Sequence, residues 1–314
     1  MFRILSALII LSASSAQAVV VAGSNGEGSV KNTTVAELDA VVANPFPYYD
    51  NVVQYMNSTG VYLGYDSVSK DVYLLTAKHV TGTSNVTIDG VSYVHQERTN
   101  LSSDMAILRY KDAGGAVPSL PAMIMTTTPP SAGSPIVMIG RGQARTEPGA
   151  TTPLVSDATS TGAGSTGYHY TGTRIIRWGT NETVLSPAIA GLGWTGGNTT
   201  ETVASFGEYF ISNFDEPNPG EWMSTNEAAI STGDSGGGTF TYEGGEWKLA
   251  GVNSLRFPFD GQDANSAAFG NINGHLDVST YLADINAVTG ELTPEPSTSL
   301  LLALGGLAIV RRKR

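Results

Sequence analysis

The sequence predicts an all-β protein, and composition and patterning carry that expectation. Short β-branched and aromatic runs recur along the chain, separated by Gly, Asn and Asp. Of 314 residues only 14% are charged, while 37 are glycine, which favours many tight turns over long solvated helices. No long run has helical period except near residues 278–285. Together these features fit two barrels or one sandwich. No repeat of fixed period is present.

The elements follow in chain order. Arg3, the apolar stretch Ile4–Leu11 and the small-residue site Ala16-Gln17-Ala18 read as a secretory signal over residues 1–18, whose removal leaves Val19 at the N-terminus. Residues 19–50 form an N-terminal extension or a propeptide ahead of a first barrel strand near Gly60–Tyr65. The run Tyr73-Leu74-Leu75-Thr76-Ala77-Lys78-His79 is a strand ending in a small-residue turn. A hairpin spans roughly Asn85–Thr99, with Asp89-Gly90 as its turn. Asp104 leads into the apolar strand Met105-Ala106-Ile107-Leu108. Thr239-Phe240-Thr241-Tyr242 and Leu249-Ala250-Gly251-Val252-Asn253-Ser254 flank a Glu243-Gly244-Gly245-Glu246 turn.

The richest stretch is Ser231-Thr232-Gly233-Asp234-Ser235-Gly236-Gly237-Gly238. Clustered glycines are entropically costly and mark a backbone that turns tightly or approaches a ligand closely. Here they free the Gly233 and Ser235 N–H groups to converge where an oxyanion develops. His79, Asp104 and Ser235, in that order along the chain, with Ile139-Gly140-Arg141-Gly142 and Val278–Ile285, resemble the chymotrypsin-like (trypsin-like) serine proteases. The resemblance covers roughly residues 52–288. It implies two six-stranded antiparallel β-barrels, about 51–145 and 165–285 within a protease domain 51–290. The active site would lie between them, with a short C-terminal helix after the last strand.

By the same resemblance, Ser235 is the nucleophile, His79 the general base and Asp104 the acid that orients it. His79 and Asp104 are only 25 residues apart, a short spacing for the family, and Asp112 is the alternative acid. Gly233 and Ser235 would supply the oxyanion hole, and Ser254 would hydrogen-bond the catalytic aspartate. Ala229, six positions before Ser235, would lie at the base of the specificity pocket; it cannot pair with Lys or Arg, so a trypsin-like preference is not expected. Arg256 would narrow the pocket, attract an acidic group or point to solvent. A freed apolar N-terminus at Val19 would pair with Asp234. No metal or cofactor is required.

Other readings stay open. Gly233-x-Ser235-x-Gly237 also fits the elbow of α/β-hydrolases, with Asp263 and His275 completing that order, but an elbow lies between a strand and a helix, whereas a β-prone run follows here. His95 reads as a strand-surface residue, His169 as part of a Ser/Thr/Gly-rich loop and His275 as a structural histidine. An esterase with the same triad, or a non-catalytic surface or matrix protein on a protease fold, would carry the same motifs.

The C-terminus joins Thr293-Pro294-Glu295-Pro296-Ser297 to the apolar run Leu300–Val310 and then Arg311-Arg312-Lys313-Arg314. That apolar run is well short of the ~20 residues a spanning helix needs. Residues 293–314 resemble the PEP-CTERM sorting signal, which implies export from a Gram-negative bacterium, transient membrane insertion by the tail, processing by an exosortase and delivery to the cell surface or exopolysaccharide matrix. Without residues 1–18 and 294–314, the body holds 12 basic and 27 acidic residues, a net charge of −15 that argues against nucleic-acid partners. The expected partner is a peptide or protein substrate. With no cysteine, the exported body relies on its core rather than on disulfides.

Overall fold

The computed structural model describes residues 19–22, 32–146, 152–160, 162–184, 208–217, 226–290 and 292. The leader and the sorting tail lie outside the described residues. Strand β1 (Val20–Val21) opens the described chain, followed by the one-turn helix α1 (Val35–Asp39). Thr34 and Glu37 form a capping box at α1: the Thr34 hydroxyl accepts from the Glu37 N–H at 3.2 Å, and the Glu37 carboxylate accepts from the Thr34 N–H at 3.1 Å.

Six strands build the first sheet: β2 (Val52–Tyr55), β3 (Ser58–Tyr65), β4 (Val72–Ala77), β5 (Val86–Ile88), β6 (Val91–Asn100) and β7 (Met105–Lys111). Every pairing is antiparallel, in the order β2-β3-β4-β7-β6-β5. The sheet rolls around one apolar cluster in which Val53 and Tyr55 of β2 share an interior with Val86 and Ile88 of β5. Among the described residues no ladder joins those two edge strands. Strand β4 explains the roll. Its Val72 and Leu74 point into this interior while Tyr73 and Leu75 point into a second core, so a continuous apolar run is buried on both faces. The Asp89-Gly90 turn between β5 and β6 has both residues at positive φ (50° and 74°), as a two-residue hairpin turn of the expected kind demands.

The second half begins with β8 (Pro135–Gly140), β9 (Gln143–Arg145), β10 (Gly167–Arg174), β11 (Arg177–Val184), β12 (Tyr209–Asn213) and β13 (Ala228–Ala229). It continues through β14 (Gly238–Glu243), β15 (Glu246–Phe257), β16 (Ser266–Ala268) and β17 (Ile272–Asp277). Six of these close a barrel in the order β11-β12-β17-β15-β14-β8. A small sheet β16-β10-β9 and the pair β1-β13 lean on it. Helix α2 (Val278–Thr289) follows β17 directly, capped by Asp277, whose carboxylate accepts from Ser279 N–H at 2.9 Å. The fold is therefore all-β, with two six-stranded units and a short C-terminal helix, as expected.

The largest core lies between the two units. Tyr73, Leu75 and Ile107 of the first sheet meet Val137, Phe240, Leu249 and Val252 of the barrel there, and Tyr281 and Ile285 of α2 join them. Leu38, Val42, Phe46 and Tyr48 fill the same seam. Phe46 packs edge-on to Phe240 and Trp247 at ring separations of 5.0 and 5.1 Å. The stretch before the first sheet is thus built into the core rather than laid over it.

Candidate active site

His79 follows the end of β4, and Asp104 immediately precedes β7. Ala77 of β4 is paired with Met105 of β7, so the ladder itself brings the two residues together despite their short separation in sequence. The Lys78 N–H donates to the Asp104 carbonyl at 2.7 Å, and the His79 N–H donates to Asp104 Oδ1 at 2.8 Å. The imidazole Nδ1 lies 2.6 Å from Asp104 Oδ2. Ser254 Oγ, reaching across from β15, donates to the same Oδ2 at 2.5 Å. Burial alone pushes the Asp104 carboxyl up, but the His79 and Ser254 hydrogen bonds outweigh it and hold the group below its ordinary range. Asp112, the alternative acid, instead closes an exposed turn by accepting from the Gly114 and Ala116 N–H groups at 2.8 and 3.0 Å.

Ser235 sits in the turn between β13 and β14. Its loop belongs to the barrel but is tied to the first sheet. Thr59 Oγ1 donates to the Gly233 carbonyl at 2.8 Å, and Ser58 Oγ donates to the Ser235 carbonyl at 2.7 Å. Gly236, at φ +88°, leaves no room for a Cβ against the Thr59 carbonyl and the Thr76 hydroxyl, so this close approach requires glycine. Both carbonyls of the turn are engaged, whereas the Gly233 and Ser235 N–H groups donate to no protein acceptor among the described residues. Ser235, His79, Gly233, Ser254 and Arg256 all line one cleft of about 520 Å³ between the two units. No hydrogen bond joins Ser235 to His79 among the described residues; such contacts often tighten only when substrate is bound.

Asp234, one residue earlier, is fully buried. Its Oδ1 accepts from Gly142 N–H at 2.6 Å and from Val19 N–H at 3.3 Å, and its Oδ2 accepts from Ser231 N–H at 2.7 Å. Desolvation still dominates, and the carboxyl is pushed up to about 6. Val19 itself is buried and stands at φ 37°, a left-handed backbone that a β-branched residue adopts only under strain.

Ala229 does not line the cleft. It is fully buried, paired with Val20 of β1 and packed with Tyr170, so its neighbour Ile230 forms the wall instead. Arg256 reaches the cleft with its guanidinium 5.3 Å from the Tyr170 ring and a hydrogen bond from Nη1 to the Ser266 carbonyl. Tyr170 and Arg174 complete the cleft from β10. Sequence reasoning missed both, because β10 lies in the stretch where the protease resemblance is weakest; His169, expected in a loop, is part of that strand.

His275 is enclosed by the barrel, with Nδ1 2.9 Å from Thr239 Oγ1 and 3.1 Å from Asn253 Oδ1, and Nε2 3.2 Å from Ser212 Oγ. Burial drives its pKa down to about 3. With His275 enclosed and Ser235 set between two strands, the hydrolase-elbow alternative has neither its base nor its helix.

Residues 292–314 match the PEP-CTERM protein-sorting motif. No curated protein matches the chain. Among solved structures it is similar to kallikrein-related peptidase 10, at 11% identity over 78% of this chain and 98% of that one, with a TM-score of 0.47. It is also similar to the same peptidase in complex with Zn2+, at 12% identity over 77% and 95% of the two chains, with a TM-score of 0.45. At those values the fold assignment stands on the strand order alone. Two six-stranded antiparallel units with a cleft at their seam give the all-β architecture that the sequence predicts. This particular chain joins that fold to a sorting motif that marks it for export to the surface of a Gram-negative bacterium. Among the described residues no helix is long and apolar enough to cross a membrane, and no group of three or more His, Asp or Glu is placed to hold a metal ion.

Proposed function

We propose that the protein is an exported serine endopeptidase acting through Ser235, His79 and Asp104. The observation that carries this reading is the His79–Asp104–Ser254 array facing the cleft that Ser235 lines. Asp104 fixes Nδ1 of His79 as the protonated nitrogen, which leaves Nε2 as the base. Ser235 Oγ attacks the scissile carbonyl and His79 takes its proton. The unengaged Gly233 and Ser235 N–H groups receive the oxyanion, and His79 then protonates the leaving amine. Water hydrolyses the acyl-enzyme by the same route in reverse.

Removal of the leader after Ala18 would turn the Val19 amide into an ammonium beside Asp234. It would also release the backbone strain at Val19, since φ there is defined by the carbonyl carbon of residue 18. Both effects support Val19 as the mature N-terminus. The burial of Leu38, Phe46 and Tyr48 supports residues 32–50 as a permanent part of the body rather than a removable propeptide. Exosortase processing near Pro294-Glu295-Pro296 would then set the final C-terminus.

The test is fluorophosphonate labelling of the full-length chain, exported by an expressing bacterium and read by intact mass and peptide mapping. Ser235 should be modified stoichiometrically, with no labelling in Ser235→Ala and at least ~100-fold slower labelling in His79→Ala. The missing Ser235–His79 hydrogen bond favours a second reading, a non-catalytic matrix protein, which predicts no labelling of the folded wild type. An esterase would label but cleave only esters.

A further inference from the structure

Three arginines stand around the Ser235 loop with no ion-pair partner among the described residues. Arg174 and Arg256 line the Ser235 cleft, and Arg141 lies in the loop behind it. Elsewhere the protein does pair such a group: Arg109 is held by Asp71 at 3.0 Å and Glu97 at 2.8 Å. Arg141 is half-buried, and its own desolvation together with the nearby charge of Arg174 lowers its pKa.

The distribution of charge sharpens this. Of the 12 basic residues between 19 and 293, Lys78, Arg98, Arg174 and Arg256 line this cleft or the one adjoining it behind His79. Among the acidic residues described, only Asp104 and Glu208 do, and Asp104 is already engaged by His79. The cleft is therefore a cationic opening in an anionic body. A long polyanion would be repelled by the remaining surface, whereas a single carboxylate on an otherwise neutral peptide would gain from the opening alone. Arg256 is also held in place. Its hydrogen bond to the Ser266 carbonyl and its position over Tyr170 limit the side-chain entropy lost on binding.

We infer that the cleft selects substrates with an Asp or Glu side chain on the residue that supplies the scissile carbonyl, with Arg256 as the main carboxylate partner and Arg174 as the second. This rests on the endopeptidase reading. Ile230–Gly233 and Arg256 line the same cleft as Ser235, so a residue whose carbonyl oxygen is held at the Gly233 and Ser235 N–H groups would present its side chain to that wall and to Arg256. Ala229, which could neither pair with a cation nor reach the cleft, is consistent with recognition from the rim rather than from the floor.

Two aryl phosphonate probes separate the possibilities, matched except that one carries a glutamyl and the other a glutaminyl side chain beside phosphorus. The rate of Ser235 modification is measured on the full-length exported protein alongside a simple alkyl fluorophosphonate. The glutamyl probe should react at least ~10-fold faster at low ionic strength, as a charge-assisted bidentate contact allows. That advantage should shrink with added salt. It should be largely lost in Arg256→Gln and partly retained in Arg256→Lys, with Arg174→Gln intermediate. Equal rates for the two probes in wild type would overturn the inference while leaving the endopeptidase reading intact. No reaction with any of the three reagents would remove that reading, and the inference with it. The wild-type ratio decides even if a variant fails to fold.

Discussion

Asp104 and Asp234 stand on either side of the same serine, and their surroundings push them in opposite directions. Asp104 is partly exposed and takes hydrogen bonds from the His79 ring and the Ser254 hydroxyl, so its carboxyl is held low. Asp234 is fully enclosed, and although it accepts from Ser231, Gly142 and Val19, burial holds it up at about 6. The difference shows that hydrogen bonds alone do not stabilise a carboxylate once all solvent is gone; a compensating charge is needed. For Asp104, on the proposed mechanism, the compensating charge would be the imidazolium formed during turnover. For Asp234 it is absent from the uncut chain and would be created by leader removal.

The largest expected effect breaks the Asp104 side. Asp104→Asn keeps the shape but inverts the hydrogen-bonding sense toward Nδ1, and kcat should fall by roughly 10^4 with only a modest loss in Tm. Steady-state cleavage and thermal melts check both halves of that statement. The next breaks the Asp234 side. Replacing Ala18 with a residue that blocks leader cleavage leaves a buried carboxylate without its ammonium, a loss on the order of 3–5 kcal/mol. Phosphonate labelling of the secreted but uncut chain should be at least ~100-fold slower than that of the cut chain.

The third expectation turns the comparison into a pH dependence. In the uncut chain, Asp234 has a folded pKa of about 6 against an unfolded value near 3.8. A raised carboxyl contributes stability while protonated, so the contribution is fully present below pH ~4 and lost as pH rises through ~6, about 3 kcal/mol in all. In the cut chain the α-ammonium gains a partner, its pKa rises above the ordinary ~7.7–8.0, and its contribution is lost only above that range. Urea midpoints from pH 4 to 9 should therefore fall between pH 4 and 6 for the uncut form and stay level there for the cut form. Asp104 behaves oppositely to the uncut Asp234. Its depressed carboxyl contributes above its unfolded pKa and loses that contribution as pH falls through the folded value. The smallest effect is Ser254→Ala, which removes one hydroxyl donor from Asp104 and should lower kcat/KM roughly 10-fold, in line with a hydrogen bond to a charged group.

His79, Asp104 and Ser235 were legible in the sequence because each is held by its own neighbours in the chain. A strand end, a residue leading into an apolar strand and a glycine-dense turn are local signatures. The Asp89-Gly90 hairpin and helix α2 were legible for the same reason. Tyr170 and Arg174 were not, since β10 gains its position by pairing with β9 and β16 and its own composition resembles a loop. Ala229 was expected at the base of the pocket, yet Val20 and Tyr170, from distant segments, cover it. Phe46 and Tyr48 looked like part of an extension because nothing local says that they fill the seam. The Ser58 and Thr59 anchors of the Ser235 loop are likewise invisible without the packing of the two units.

The contact between Val19 and Asp234 spans 215 positions, and that distance acts as a clock. On the proposed export route the N-terminus would cross the membrane well ahead of the turn that receives it. A chain that is clipped but only partly translocated would carry a free amine with nowhere to insert, and a chain fully translocated but unclipped would carry the turn without the amine. On the proposed reading, competence would thus require two separate events at the membrane to be complete, and the protein would have no working form on the side where it is made.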